Sequence, residues 1–157
     1  MMEEFIIQLL MAAVSTVGFG ILFRLRVRYL PIVFVVGGGC YAIYYLFATV
    51  LRLDVFVAAL MATIFVTAIS EVLARAKRSP SVIFILTSLI PIVPGSNLFY
   101  MMRGLILKDM QMALSHGSAA LKISLGVAGG IIAISVVGST ANAIAEKIKR
   151  KKEMNKE

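Results

Sequence analysis

Apolar residues dominate this chain in five long runs, and each run is separated from the next by a short polar or charged connection. The runs cover residues 5–23, 30–51, 55–74, 79–102 and 123–145. Each is close to the ~20 residues that a helix needs to cross a bilayer. None alternates with the period of two that is typical of a transmembrane barrel. The pattern predicts an all-α integral membrane protein with about five transmembrane helices in a single transmembrane domain, residues 1–157.

The fourth run is charge-free but contains two prolines and a glycine near its midpoint. Proline lacks the amide donor and clashes with the preceding turn, so Pro91, Pro94 and Gly95 predict a broken helix. Inside a bilayer, unpaired backbone is tolerated only where protein buries it or water lines it. Transporters commonly hold their cargo at such a break. The alternative is a proline kink that only shapes helix packing.

The residues after the break are candidates for binding an anion. Ser96 and Asn97 are expected to cap a new half-helix, whose free amides and positive dipole can hold a carboxylate. Tyr100 can reach the same cavity with its hydroxyl, or it can serve as an interfacial aromatic anchor. The candidate substrate-binding residues are therefore Pro91, Pro94, Gly95, Ser96, Asn97 and Tyr100.

Glu71 is the only acidic residue inside a predicted span. A carboxylate at the centre of a span costs up to ~3 kcal/mol, so this side chain is expected to face protein or water. It is a candidate for proton coupling or for contact with a substrate ammonium group. Arg75, four residues later, offers the alternative of a local helix ion pair.

Small residues indicate close helix packing in the fifth run, where Gly126 and Gly130 form a GxxxG pattern. The stretch between the fourth and fifth runs, residues 104–118, fits either a helix lying in the interface or a loop. The basic tail, residues 146–157, is expected to extend the last helix and to anchor it near anionic lipid.

Composition agrees with a membrane protein, because 60% of the residues are hydrophobic and the mean hydropathy is +0.94. Only 15% are charged, against ~25% in a typical soluble domain. The net charge of +8 does not indicate nucleic-acid binding, because the basic residues form short clusters beside apolar runs. The only histidine, His116, lies in a connection with no acid patterned near it. No enzyme, metal or cofactor signature is found, and the lack of an ATP-binding motif favours an ion gradient as the energy source.

Basic residues cluster after the first, third and fifth runs, at Arg24, Arg26 and Arg28, at Arg75, Lys77 and Arg78, and in the tail. The other connections carry little net charge. By the positive-inside rule, the N-terminus is expected outside and the C-terminus in the cytoplasm of a cell (inner or plasma) membrane.

The chain resembles the threonine/serine exporter family, and specifically the small subunit of its split, two-protein form. The resemblance is carried by Val17-Gly18-Phe19, the basic turn before Pro80, and Ile90-Pro91-x-x-Pro94-Gly95 with Tyr100 after it. It implies export of threonine and serine, or of a dicarboxylate such as succinate. It also implies a larger partner subunit with a cytoplasmic N-terminal region and five more spans, which would pair with this chain in inverted orientation. The alternative function is a non-transporting subunit that assembles or stabilises a membrane complex.

Overall fold

A computed structural model describes residues 2–77 and 79–154 of the chain, without the side chains of residues 2, 77, 139 and 141–154. The helices in this part are α1 Met2–Leu22, α2 Leu30–Tyr45, α3 Val55–Lys77, α4 Ser81–Leu89, α5 Gly95–Ile106 and α6 Met110–Met154. A π-helical turn, Leu46–Val50, extends α2, and a 3-10 turn, Ile90–Ile92, extends α4. The predicted all-helical membrane fold is thus confirmed. Arg78 and residues 155–157 of the predicted basic clusters lie outside the described residues.

The predicted break in the fourth span is present. Residues Ser81–Ile92 and Gly95–Ile106 are two helical segments that meet at an angle of 52°. Four other stretches, in α1, α2, α3 and α6, are long and apolar enough to cross a membrane by themselves. By length and composition, the described part of the chain therefore has four candidate spans, or five when the bent pair is counted as one.

The last helix begins at Met110, earlier than the predicted span at 123, so most of the stretch 104–118 is helical. Helix α5 ends at Ile106 with Lys108 in the left-handed conformation (φ 58°), and the Asp109 amide donates to the Gly104 carbonyl at 2.9 Å. The Asp109 carboxylate then accepts from the Met112 amide at 3.0 Å and caps α6. The end of α5 and the start of α6 are thus joined by a turn of three residues, 107–109.

Helices α5 and α6 form a tight antiparallel hairpin around this turn. A Cβ on Gly104 would lie 2.7 Å from the Ala113 amide nitrogen, so the two backbones approach as closely as they can. Helix α5 makes its main contacts with α6, whereas α6 also packs along α3.

Helices α3 and α6 run parallel to each other. The contacts advance in the same direction along both helices: Phe56 with Gly126, Thr63 with Gly130, and Glu71 with Gly138. The chain between them must therefore return across the thickness that α3 has crossed. The bent α4–α5 pair lies in this part of the chain and makes the return.

The core lies where α2, α3 and α4 converge, just before the break. Its buried members are Val36, Cys40, Ala62, Val66, Ile85, Leu89 and Ile92. The α1–α2 and α3–α4 connections meet at one end of the bundle, where Arg24 and Arg26 line a common pocket with Ser79 and Pro80. We call this the basic end. The opposite end brings Phe5 of α1 beside Thr49 and Arg52.

Candidate functional site

The break turns the chain out of the core within three residues. Ile92 is buried, whereas Val93 is 57% exposed. Pro91 lies in the 3-10 turn that ends α4, and Pro94 occupies the position before the first residue of α5. Gly95 and Ser96 are exposed, and a Cβ on Gly95 would have no heavy atom within 4 Å. The start of α5 therefore faces open space on the surface of this chain.

The expectation that Ser96 and Asn97 cap the half-helix is wrong. Pro94 holds the cap position and provides no side-chain hydrogen bond, so Ser96 and Asn97 fall in the first turn. The Gly95 amide donates to the Val93 carbonyl at 2.7 Å and the Leu98 amide to the Pro94 carbonyl at 3.0 Å. Within the described part of the chain, the amides of Ser96 and Asn97 find no acceptor. They remain available to a ligand at the positive end of the helix dipole.

Asn97 and Tyr100 come together on one histidine of the neighbouring helix. Asn97 Oδ1 lies 3.1 Å from His116 Nδ1, and an amide oxygen in this position accepts from the ring nitrogen. The Tyr100 ring stacks on the imidazole with a centroid distance of 5.1 Å and an interplanar angle of 29°. Asn97 and His116 are half-buried, while Tyr100 is 39% exposed. This arrangement joins a polar amide, an imidazole and a phenol one turn beyond the break.

Sequence reasoning missed His116, because the residue was placed in a connection rather than on a helix. The signal that locates it is the hairpin turn at Lys108 and Asp109. Once α5 and α6 are folded back on each other at this turn, positions equally distant from it face each other. The pairs Gly104 with Ala113 and Met101 with Gly117 follow this rule. It also places His116 beside Tyr100, and Asn97 reaches the same ring from one turn earlier in α5.

Glu71 lies apart from the residues of the break. Its carboxylate Oε2 is 3.4 Å from Nη2 of Arg75, and it packs against Gly138 of α6. The same guanidinium nitrogen lies 3.5 Å from the Gly138 carbonyl oxygen. The side chain of Glu71 is 21% exposed, compared with 53% for Arg75. The geometry thus contains the local helix ion pair, tied to the last helix.

Three buried hydroxyl groups of α3 and α4 lack hydrogen-bond partners in the described part of the chain. They belong to Thr67 and Ser70 of α3 and to Ser88 of α4. All three residues have no exposed surface. Burying a hydroxyl without a partner costs about 1–3 kcal/mol. These groups therefore lower the free energy of unfolding of this conformation.

The two GxxxG glycines lie at the α3–α6 contact rather than near the break. A Cβ on Gly126 would be 2.6 Å from the Phe56 carbonyl oxygen, and one on Gly130 would be 2.7 Å from Thr63 Cβ. Both positions therefore require the absence of a side chain. They set the distance between α3 and α6.

The fold and the break together define a helical membrane protein with several candidate spans, in which two apolar helical segments meet at a sharp bend. Residues 8–137 match the family described as Threonine/Serine exporter, ThrE. The chain belongs to this family of transporters. Comparisons with curated proteins and with solved structures find no match.

Proposed function

We propose that this chain is one membrane subunit of a secondary exporter for small metabolites that carry a carboxylate. Threonine and serine are the cargo that the family description names, and a dicarboxylate such as succinate has the same anionic group. An ion gradient would drive the export. The chain would sit in the cell (inner or plasma) membrane with its N-terminus outside and its C-terminus in the cytoplasm.

The observation that carries the proposal is the open start of α5. The unpaired amides of Ser96 and Asn97 stand at the positive end of a helix dipole, where a carboxylate is stabilised without a buried cation. Pro91, Pro94 and Gly95 create this end. Asn97 also holds His116, and Tyr100 lies against the same ring, so both residues are placed beside the proposed carboxylate site.

The same observation supports a partner subunit. Amides that lack partners cannot face lipid, because each unsatisfied group in hydrocarbon costs several kcal/mol. Within the described part of this chain, nothing approaches Gly95. We propose that a larger subunit of the same exporter covers the break and completes the cavity. The two subunits would then form a hetero-oligomer in inverted orientation around the cargo.

Alanine substitutions at Pro94 and Gly95 test the site. Pro94→Ala restores an amide donor and favours a continuous helix, while Gly95→Ala adds a methyl group where there is space. Export of threonine, serine and succinate would be measured together with the membrane level of the chain and its co-purification with the partner. We expect export to fall while both other quantities stay normal. Gly18→Ala, a change without a neighbour within 4 Å, is the matched control.

The second candidate function is an assembly or stabilising subunit that transports nothing. It is favoured by the close α3–α6 contact, which shows that this chain uses glycine faces to bring helices together. In that case the Pro94 and Gly95 variants would lose partner co-purification, and export would fall only as the complex is lost.

Two further measurements test the cargo and the orientation. Cells that lack the protein should accumulate threonine or serine when fed peptides, or succinate during fermentative growth. A tag on the N-terminus should be reached by reagents from outside the cell. A cytoplasmic N-terminus would contradict the inverted arrangement.

A further inference from the structure

The basic end of the bundle contains a second polar pocket, which the proposed export site does not use. It has a volume of about 240 Å³ and lies between the α1–α2 connection and the start of α4. Its polar lining consists of Arg24, Arg26, Tyr29 and Ser79, with Pro80 beside them.

Two cations line this pocket without an acidic partner among the described residues. The amides of Arg24 and Leu25 donate back to the Ile21 and Gly20 carbonyls, which closes α1 with Arg24 in the left-handed conformation (φ 56°). This turn fixes the position of the Arg24 backbone at the end of α1. Arg26 follows directly before the 3-10 turn that leads into α2. The positions of both arginines are therefore set by backbone structure.

Tyr29 contributes its hydroxyl to the lining of the same pocket. The residue is only 6% exposed, and its ring packs edge-on against Phe84 with a centroid distance of 5.5 Å. Its hydroxyl has no hydrogen-bond partner within the part of the chain that the structure describes. A phenol that is otherwise enclosed therefore has its donor and acceptor capacity left for the pocket.

The start of α4 adds a third positive element to the two arginines. The helix begins at Ser81 after Pro80, which provides no side-chain hydrogen bond, and its first turn has no acidic residue. The positive end of its dipole and its free amides thus adjoin the pocket. Two guanidinium groups, the Tyr29 hydroxyl and a helix start thus line one pocket, and no acidic residue among the described residues lines it with them.

We infer that this pocket binds a single oxyanion, the carboxylate of a small metabolite or the phosphate of a lipid headgroup. Arginine suits both groups, because its planar guanidinium donates two parallel hydrogen bonds to carboxylate or phosphate oxygens. The inference does not depend on the proposed export site, since the two sites share no residue.

The test uses the full chain in phosphatidylcholine nanodiscs, titrated with inorganic phosphate and with succinate by calorimetry. We expect Arg26→Gln to weaken binding of either anion about tenfold, because it removes a hydrogen bond between two charged groups. Tyr29→Phe should weaken it less while it keeps the ring packing on Phe84. Arg28→Gln removes the same charge from the same connection but not from the pocket, and should leave binding unchanged.

A second arm separates the two sources of the anion. Nanodiscs with one fifth phosphatidylglycerol are compared with pure phosphatidylcholine, and bound lipid is counted by native mass spectrometry. A lipid headgroup is the occupant if the wild type retains phosphatidylglycerol and no longer binds soluble anions in its presence. The Arg26→Gln variant should then show neither effect. If soluble anions bind equally in both discs, the occupant is a free metabolite. Equal losses in Arg26→Gln and Arg28→Gln, or no binding in either arm, would overturn the inference.

Discussion

Asp54 and Lys122 join the start of α3 to α6 across 68 positions of sequence, with Nζ 2.6 Å from Oδ2. The pair marks the level at which the two parallel helices begin to run side by side. Both side chains are about half exposed, so water screens the attraction. The ion pair therefore contributes little to stability, and its main effect is to fix how far α3 is shifted along α6.

This ion pair makes a part of the stability depend on pH. The hydrogen bond from Lys122 and that from the Phe56 amide lower the pKa of the Asp54 carboxyl below its ordinary value of 3.8. A lowered pKa in the folded state means that the contribution is complete above that value and is lost as the pH falls through the lowered pKa. Asp54→Asn should therefore melt slightly below the wild type at pH 7, and the difference should vanish once the pH has fallen below the lowered pKa. Lys122→Gln should show the same convergence, and a difference that persists in acid would contradict this assignment.

Gly126→Ala should destabilise the protein. The added methyl group would meet the Phe56 carbonyl oxygen, which belongs to backbone and cannot rotate away. Overpacking of this kind costs about 1–3 kcal/mol. Thermal unfolding in detergent measures the effect, and Gly18→Ala provides the same chemical change in open space. Similar melting temperatures for the two variants would mean that α3 and α6 separate easily.

Buried threonines with and without partners should respond in opposite ways to the same substitution. Thr16 Oγ1 lies 2.6 Å from the Ala13 carbonyl oxygen and 3.2 Å from that of Val33, whereas Thr67 Oγ1 has no partner among the described residues. Thr16→Val should lower the free energy of unfolding by about 1 kcal/mol, and Thr67→Val should leave it unchanged or raise it. Chemical denaturation of both variants gives the comparison. A large loss in Thr67→Val would show that its hydroxyl is bonded in the membrane.

His116→Phe should reduce export without removing the chain from the membrane. The phenyl ring can still stack on Tyr100, but it cannot donate to Asn97, so the position of that amide beside the break is lost. The export rate, divided by the amount of protein in the membrane, is the quantity to compare. Ser115→Ala is the control, because the Ser115 hydroxyl bonds only to the Met112 carbonyl of its own helix.

Glu71→Gln distinguishes a coupling role from a local ion pair. If Glu71 carries a proton during export, the glutamine variant should lose the dependence of export on the proton gradient, whereas Arg75→Gln should keep it. Export is followed at several external pH values for both variants. Equal, small losses in both would instead assign Glu71 to the contact with Arg75 and Gly138.

The break could be predicted from the sequence because its cause is local. Pro91 and Pro94 interrupt the hydrogen bonds of their own helix wherever that helix packs. The three-residue turn at Asp109 was missed because the polar residues after it resemble a connection. In the structure Gln111, Ser115 and Ser118 lie on the exposed faces of a helix whose small residues, Ala113 and Gly117, pack on α5.

The N-cap of α5 and the position of His116 could not be predicted from the sequence. Ser96 and Asn97 are residue types that often cap helices. Helix α5, however, already begins at Gly95, so the cap position falls on Pro94. The contact between Asn97 and His116 depends on two helices folding back on each other. Such a contact between distant positions leaves no trace in a hydropathy pattern.

Cys40 is buried in the core formed by α2, α3 and α4, without exposed surface. Thiol reagents dissolved in water cannot reach its sulfur while the bundle is intact. The natural chain can therefore serve as its own background for cysteine labelling. A single cysteine introduced at Glu3 or Lys108 would report which side of the membrane that position faces, in an otherwise unaltered protein.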